Sequence, residues 1–248
     1  MFAVYAWMRL ADDLVDEAPD AKAASAKLDA FAAQTESLFS GDVPEGNPMW
    51  RALAEVRTHI DLPRHAFEAM LDGQRWDIEG RPITTEAELE AYCERVASSV
   101  GVICVHVWGF DNDEAPELAR RRGIAFQLTN MLRDVGEDLA MGRCYLPLES
   151  FGGSMHRDML KAWHPPEPCS KFIVHWAGRA IVHYEASAGL DRMVQRRCRR
   201  TLRTMTRIYQ GILNQIIAVP KRSVLGPRAR ISTIRKVFIA ASAGCTLR

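Results

Sequence analysis

Two groups of oxygen-bearing side chains at helical spacing carry the most chemistry in this 248-residue chain. The first is Asp12-Asp13-Leu14-Val15-Asp16-Glu17. Asp12 and Asp16 are four residues apart and Asp13 and Asp16 three apart, so a helix presents them on one face. Like charges so placed cost about 0.2–0.5 kcal/mol per pair, and more where water is excluded. Tyr5 and Arg9 extend the same polar stripe upstream through an otherwise apolar segment. Taken alone, such a cluster is as well explained by a solvated helix face.

The second group alters that balance. Gln127, Asn130, Asp134 and Asp138 are spaced three, four and four, again one face of a helix, with Phe126, Leu128, Met131 and Leu132 around them. Carboxylates turned inward must be paired, protonated or bound to metal. Hard oxygen ligands drawn from two helices suit Mg²⁺, which keeps part of its shell for water and substrate phosphates. The physical reading is two acid-bearing helices facing each other across a cavity, with Mg²⁺ bridging them to a diphosphate. Arg9, Arg133 and Arg143 lie close enough in sequence to these stripes to neutralise phosphate oxygens.

The elements that must hold these stripes are helical. Apolar residues recur at helical period in Phe2–Val15, in Leu28–Phe39 up to Ser40-Gly41, in Leu53–Ile60 before Leu62-Pro63, and again through Phe67, Met70 and Leu71. Thr85 and Glu88 are spaced as a capping box, opening a helix expected to run to about Gly109, and a new one is expected near Ala115-Pro116. Strong helical patterning resumes in Phe172–Leu190. Loops are expected at Gly41–Pro48, Asp111–Glu114, Gly152–Ser154 and His164–Pro168. No alternating run is long enough for a strand, and no linker divides the chain. An all-α protein with a single helical bundle follows, as one domain over residues 1–248.

Composition narrows the class. At 48% apolar and 25% charged residues the chain is globular in type rather than disordered or fibrous. Its 32 basic residues against 31 acidic ones argue against a dedicated nucleic-acid binder. Cys93, Cys104, Cys144, Cys169, Cys198 and Cys245 form no CxxC pair, as expected of reduced thiols in a cytoplasmic chain. The most apolar stretch, Val100–Phe110, is about half the ~20 residues of a membrane span.

Several blocks together resemble the squalene/phytoene synthase family. Val4-Tyr5-Ala6-Trp7-Met8-Arg9-Leu10-Ala11-Asp12-Asp13-Leu14-Val15-Asp16 is similar to its first aspartate-rich motif, and Gln127 through Asp138 to its second. Gly142-Arg143-Cys144-Tyr145-Leu146-Pro147 matches the tail of that second motif. Tyr92 through Gly101 resembles a third signature, with Ser99 standing where an aliphatic residue or threonine is usual. Weaker similarity runs through Gly73 and Asp77, Ile208–Leu213 and Arg228–Ser232. The blocks cover nearly the whole chain in order.

The resemblance implies an isoprenoid synthase fold, a bundle around a deep central cavity, and head-to-head joining of two prenyl diphosphates. Farnesyl diphosphate is the expected substrate, with geranylgeranyl diphosphate a close alternative. By residue, it implies Asp12, Asp16, Asn130, Asp134 and Asp138 as ligands for roughly two or three Mg²⁺ ions. Tyr5, Arg9, Gln127, Asn130, Arg133 and Tyr145 fall at substrate-binding positions, and Tyr92 joins the four aspartates in the catalytic set. Family members usually carry one or two helices before the first acidic helix, and the resemblance begins after them. Head-to-tail prenyltransferases and terpene cyclases share the Asp12-Asp13-x-x-Asp16 form, and a silent homologue serving as a binding or assembly protein is the alternative from another class. No glycine-rich dinucleotide fingerprint is present, so no motif argues for NADPH.

The remaining features have ordinary readings beside sharper ones. Arg196, Arg200, Arg203 and Arg207 share one side of a basic helix that also holds Arg192, Arg197 and Arg199. That face suits peripheral contact with an anionic membrane, though pairing with neighbouring acids is the ordinary expectation. His175 and His183, eight apart, lack a third ligand and are expected to pack or face solvent. The six tryptophans are expected in the core.

Overall fold

A computed structural model describes residues 1–152 and 155–243; Gly153, Ser154 and Cys245, which the sequence reading touched, lie outside the described residues. Thirteen α-helices are formed among the described residues, with a single isolated β-bridge between Phe110 and Val194. The N-terminal half contains α1 (Phe2–Asp16), α2 (Ala21–Ser40), α3 (Pro48–His59) and α4 (Arg64–Glu79). The Asp20 side chain caps α2 by accepting from the Ala23 amide at 2.8 Å, and Asn47 caps α3 with Pro48 at its first position. Trp7, Phe31, Trp50 and Phe67 fill the core between these helices, and the Trp7 indole donates to Thr35 Oγ1 at 3.0 Å. The buried stripe of α1, Val4, Trp7, Met8 and Ala11, points its acids the other way, off this core.

The helix opened by the Thr85–Glu88 capping box is not uniform. It runs as α5 (Glu86–Cys93), a π-helical turn (Glu94–Ser98) and α6 (Ser99–Trp108), ending where the spacing predicts. Periodicity over such a length does not reveal one inserted residue, so the sequence reads as one regular helix. The π-turn is clamped between two glycines on its neighbours. A Cβ on Gly73 of α4 would lie 2.8 Å from Val96 Cγ1, and one on Gly123 would lie 2.6 Å from Ser98 Cα. Such wide turns inside helices concentrate at functional sites.

The long helix α7 (Ala115–Ala140) crosses the molecule and carries the second polar stripe. It packs on α9 (Pro166–Ala186), with α8 (Arg157–Ala162) beside them, through Ile124, Leu128, Leu132, Phe172 and Trp176. α9 begins at Pro166, two residues inside the loop expected at His164–Pro168, because Pro is well suited to a helix's first turn. The short α10 (Leu190–Met193) leads into α11 (Arg196–Ala218), followed by α12 (Pro220–Leu225) and α13 (Thr233–Ser242). Of the arginine-rich α11, Arg203 pairs with Asp191 at 3.6 Å and Arg199 approaches Asp111 at 3.9 Å, whereas Arg196, Arg197 and Arg200 are exposed. Arg200 donates to the Ala240 carbonyl at 3.0 Å and Arg207 to Ser242 Oγ at 3.1 Å, so the stripe also seats α13.

Five tryptophans are buried; Trp108, partly exposed, lines a cavity. His183 is buried, which holds its pKa below the ordinary histidine value, while His175 is exposed beside Trp176. Cys93, Cys104, Cys144, Cys169 and Cys198 are free thiols. No helix among the described residues is long and apolar enough to cross a membrane.

Candidate active site

The two stripes do not touch, and Arg143 stands between them, acting on Asp77 beside the first and on Asp138 of the second. On the α1 side, Asp12 is half-buried and accepts from Gln74 Nε2 of α4 at 2.5 Å. Burial and the neighbouring Asp16 raise its pKa above the ordinary aspartate value. Asp77, one turn further along α4, is raised in the same way, by burial first and then by Asp16 and Asp12, against a lowering hydrogen bond from Tyr92. Three carboxylates are thus gathered at one end of α1 and α4 with little positive charge between them. Arg9, the nearest cation on α1, is exposed and pairs with Asp13 at 2.7 Å. Tyr5 lies on the same helix and is two-thirds exposed.

Tyr92 of α5 joins this group from below. Its hydroxyl donates to Asp77, lying 3.0 Å from both carboxylate oxygens, and its ring stacks on Tyr145 with centroids 5.4 Å apart. Burial, followed by the Asp77 charge, pushes the Tyr92 phenol well above its usual range, so it stays a proton donor. The segment Gly142–Pro147 after α7 brings Arg143 and Tyr145 between the two stripes: Arg143 lowers both Asp77 and Asp138, and Tyr145 feels both acids. Asp77, Arg143 and Tyr145 border a cavity of ≈ 290 Å³ whose walls also include Trp76, Arg81 and Arg157.

On the α7 side the two aspartates differ. Arg133 forks onto Asp134 at 2.8 and 2.7 Å, and Arg228, from the segment before α13, adds a third hydrogen bond at 2.7 Å. Burial pushes Asp134 upward, but these two guanidinia outweigh it and hold the carboxyl below its ordinary value. Asp138 has no such partner. Burial, then Asp134, pushes it up to about 6, with Arg143 opposing.

One turn toward the N-terminus of α7, Asn130 donates to Gln127 at 3.4 Å, while its own Oδ1 is buried without a hydrogen-bond partner. An orphaned carbonyl oxygen one turn from Asp134, on the face that continues to the uncompensated Asp138, belongs to a donor set suited to a hard cation. The residues therefore fit Mg²⁺. Among the described residues no three His, Cys, Asp or Glu side chains converge into a ready-made metal cluster. The ligands stand on two sides of a gap, as expected when substrate phosphates and water complete the shell.

Gln127 and Asn130 also form one end of a second cavity of ≈ 250 Å³ between the π-turn, α6, α7 and α11. Val96, Ala97, Val100, Phe126, Leu202 and Met205 are among its walls. The α7 stripe thus reaches the wall of a largely apolar chamber through Gln127 and Asn130. Of the sequence-predicted site residues, Gln127 and Asn130 line this chamber, Asp12, Asp16, Tyr92, Tyr145 and Asp138 group around Asp77 and Arg143, Arg133 and Asp134 pair on α7, and Tyr5 and Arg9 are exposed on α1. Asp77, Gln74 and Arg228 join the site, although the spacing argument singled out none of them. Asp77 and Arg228 fell within weakly similar blocks, and a carboxylate following Gly73 by four on an apolar helix was the available signal for Asp77. Gln74 had none.

The model of the squalene/phytoene synthase family matches residues 1–235. The chain is 32% identical to presqualene diphosphate synthase from Rhodopseudomonas palustris over 93% of its own length and 81% of that protein's. It is 33% identical to 15-cis-phytoene synthase from Synechocystis sp., over 96% of this chain and 74% of the other. Its fold superposes on a dehydrosqualene synthase crystallised with ligand at a TM-score of 0.86 and 33% identity, covering 99% of this chain and 85% of that one.

Proposed function

The chain belongs to the squalene/phytoene synthase family of head-to-head prenyltransferases, and from that premise we propose that it condenses two farnesyl diphosphates to a presqualene-type cyclopropylcarbinyl diphosphate. The observation that carries this reading is the face of α7 on which Asp138 and Asp134 are followed by Asn130 and Gln127, the last two lining the apolar chamber. A prenyl diphosphate has that same division between anionic head and apolar tail.

Asp12, Asp16, Asn130, Asp134 and Asp138 would hold Mg²⁺, which when bound withdraws charge from a departing diphosphate. Arg143, Arg228 and Arg133 stand where phosphate oxygens would lie, and each can offer a planar pair of donors. The allylic C–O bond breaks with its electron pair leaving on diphosphate. The resulting cation adds to the double bond of the second chain, and loss of a proton closes the cyclopropane ring. Tyr92, held protonated against Asp77 and stacked on Tyr145, fixes the wall at which the first ionisation occurs. Val96, Phe126 and Tyr209 line the chamber and exclude water that would quench the cation. The exposed Arg192, Arg196, Arg197 and Arg200 suit peripheral contact with the anionic membrane that would receive the product.

The test is Mg²⁺-dependent diphosphate release with farnesyl and with geranylgeranyl diphosphate, products being identified by mass spectrometry with and without NADPH. A cyclopropylcarbinyl diphosphate from farnesyl diphosphate is expected. No release from either substrate by the folded protein would sink the reading.

A further inference from the structure

A buried cation stands among the walls of the apolar chamber. α7 lines it from Asn130, beside the acids, inward past Gly123 and Arg122 to Ala119. Arg122 is 4% exposed. Its guanidinium is anchored on three sides: Nε donates to Ser187 Oγ at 2.8 Å, Nη2 to the Ser187 carbonyl at 2.7 Å, and Nη1 to Thr206 Oγ1. Asp191 lies 3.5 Å away but also serves Arg203 at 3.6 Å, so one carboxylate answers two buried guanidinia. Arg203 Nη1 and Asp191 Oδ1 are left without hydrogen-bond partners. Around Arg122 the chamber's walls are Val105, Ala119, Leu190 and Leu202, which also pack together as one buried apolar cluster.

We propose that Arg122 is a specificity-determining residue that sets the length of the tail the chamber accepts, selecting farnesyl over geranylgeranyl diphosphate. The proposal rests on the prenyl-diphosphate reading above and adds to it the residue that closes the inner end. The distance favours this role, since the twelve residues from Asp134 back to Arg122 span about 18 Å along the helix axis. A tail one isoprene unit longer meets a guanidinium that cannot swing aside, because its donors are fixed to α9's end and to α11. Packing hydrocarbon there would wrap an undercompensated charge in apolar surface, which is unfavourable.

Arg122→Leu removes the obstruction and leaves Asp191 and Arg203 as a one-to-one pair, so the fold should persist. The ratio of kcat/KM for geranylgeranyl to farnesyl diphosphate should rise about tenfold or more, the scale of discrimination an apolar pocket provides. Arg122→Met, neutral and closer in volume, should shift the ratio in the same direction and serves if the leucine variant fails to fold. Thr206→Val keeps the guanidinium in place with one anchor fewer and should lower Tm with little change in the ratio. Dissociation constants for the inert thiolodiphosphate analogues of both prenyl chains give a reading independent of turnover. Folded variants whose ratio stays at the wild-type value overturn the proposal alone, and a wild type that prefers the longer chain overturns it together with the choice of farnesyl diphosphate above. Failure of both analogues to bind wild type overturns the functional reading and this one with it.

Discussion

Asp12 and Asp134 are the first acids of the two stripes that face each other, yet they are held in opposite electrostatic states. Asp134 is gripped by Arg133 and Arg228 and stays ionised below its ordinary pKa. Asp12 has an amide partner, Gln74, and like-charged neighbours, so its charged form is disfavoured. Asp138, four residues beyond Asp134, behaves like Asp12. The difference sets two electrostatic states side by side: one carboxylate neutralised by two arginines, the others pushed toward their neutral form by burial and like charge.

The largest expected effect is on turnover. Asp134→Asn removes an assigned Mg²⁺ ligand and the partner of two guanidinia, and diphosphate release should fall on the order of 10²-fold or more. Near-normal turnover in a folded variant would contradict the assignment. The same substitution should lower the Tm of the metal-free protein, because Arg133 and Arg228 lose charge-assisted hydrogen bonds. Asp138→Asn sharpens the contrast. It should also impair turnover, but it should raise the metal-free Tm, since it replaces a charge that the fold disfavours. If both asparagine variants move Tm the same way, the two carboxylates are not held differently.

A pH series probes the uncompensated group as a whole. Asp12, Asp77 and Asp138 have folded pKa values above their unfolded ones, so the native state binds the extra protons. Metal-free stability should therefore fall as pH rises from about 4 through about 6, with Asp138 setting the upper edge. Added Mg²⁺ should restore it above that edge and lose its effect below, as Tm measured across pH at fixed Mg²⁺ would reveal. A Mg²⁺-induced Tm shift that is flat from pH 5 to 8 would falsify the link to these acids.

The smallest effect belongs to Tyr92→Phe. The ring and its stacking on Tyr145 remain, while the hydrogen bond that lowers Asp77 is lost. A several-fold drop in kcat with little change in Tm is expected, on the scale of a single hydrogen bond of about 1 kcal/mol. A much larger loss would make the phenol a participant in the chemistry.

Much of the site is legible in the chain because helical periodicity is a local property. The intervals from Asp12 to Asp16 and from Gln127 to Asp138 place those side chains on single faces whatever packs around them. The Thr85–Glu88 pair gives away a helix start because its hydrogen bonds are confined to four residues. The π-turn at Glu94–Ser98 stays hidden, since one extra residue in a turn leaves the apolar pattern nearly intact. Gln74 is hidden for another reason: its partner is 62 residues away and nothing in its own segment marks it.

Arg122 makes the same point at the far end of the chamber. In sequence it is one of three consecutive arginines, and nothing separates it from Arg120 and Arg121. In the fold those two pair with surface acids while Arg122 is buried against Ser187, Thr206 and Asp191. The sequence by itself determined the helical class and the two acidic faces, because spacing and charge are written locally. Tertiary structure decided which acids are neutralised by arginine, which stand exposed to their own repulsion, and where the apolar chamber stops. Each of those outcomes depends on side chains brought within a few ångströms from distant parts of the chain.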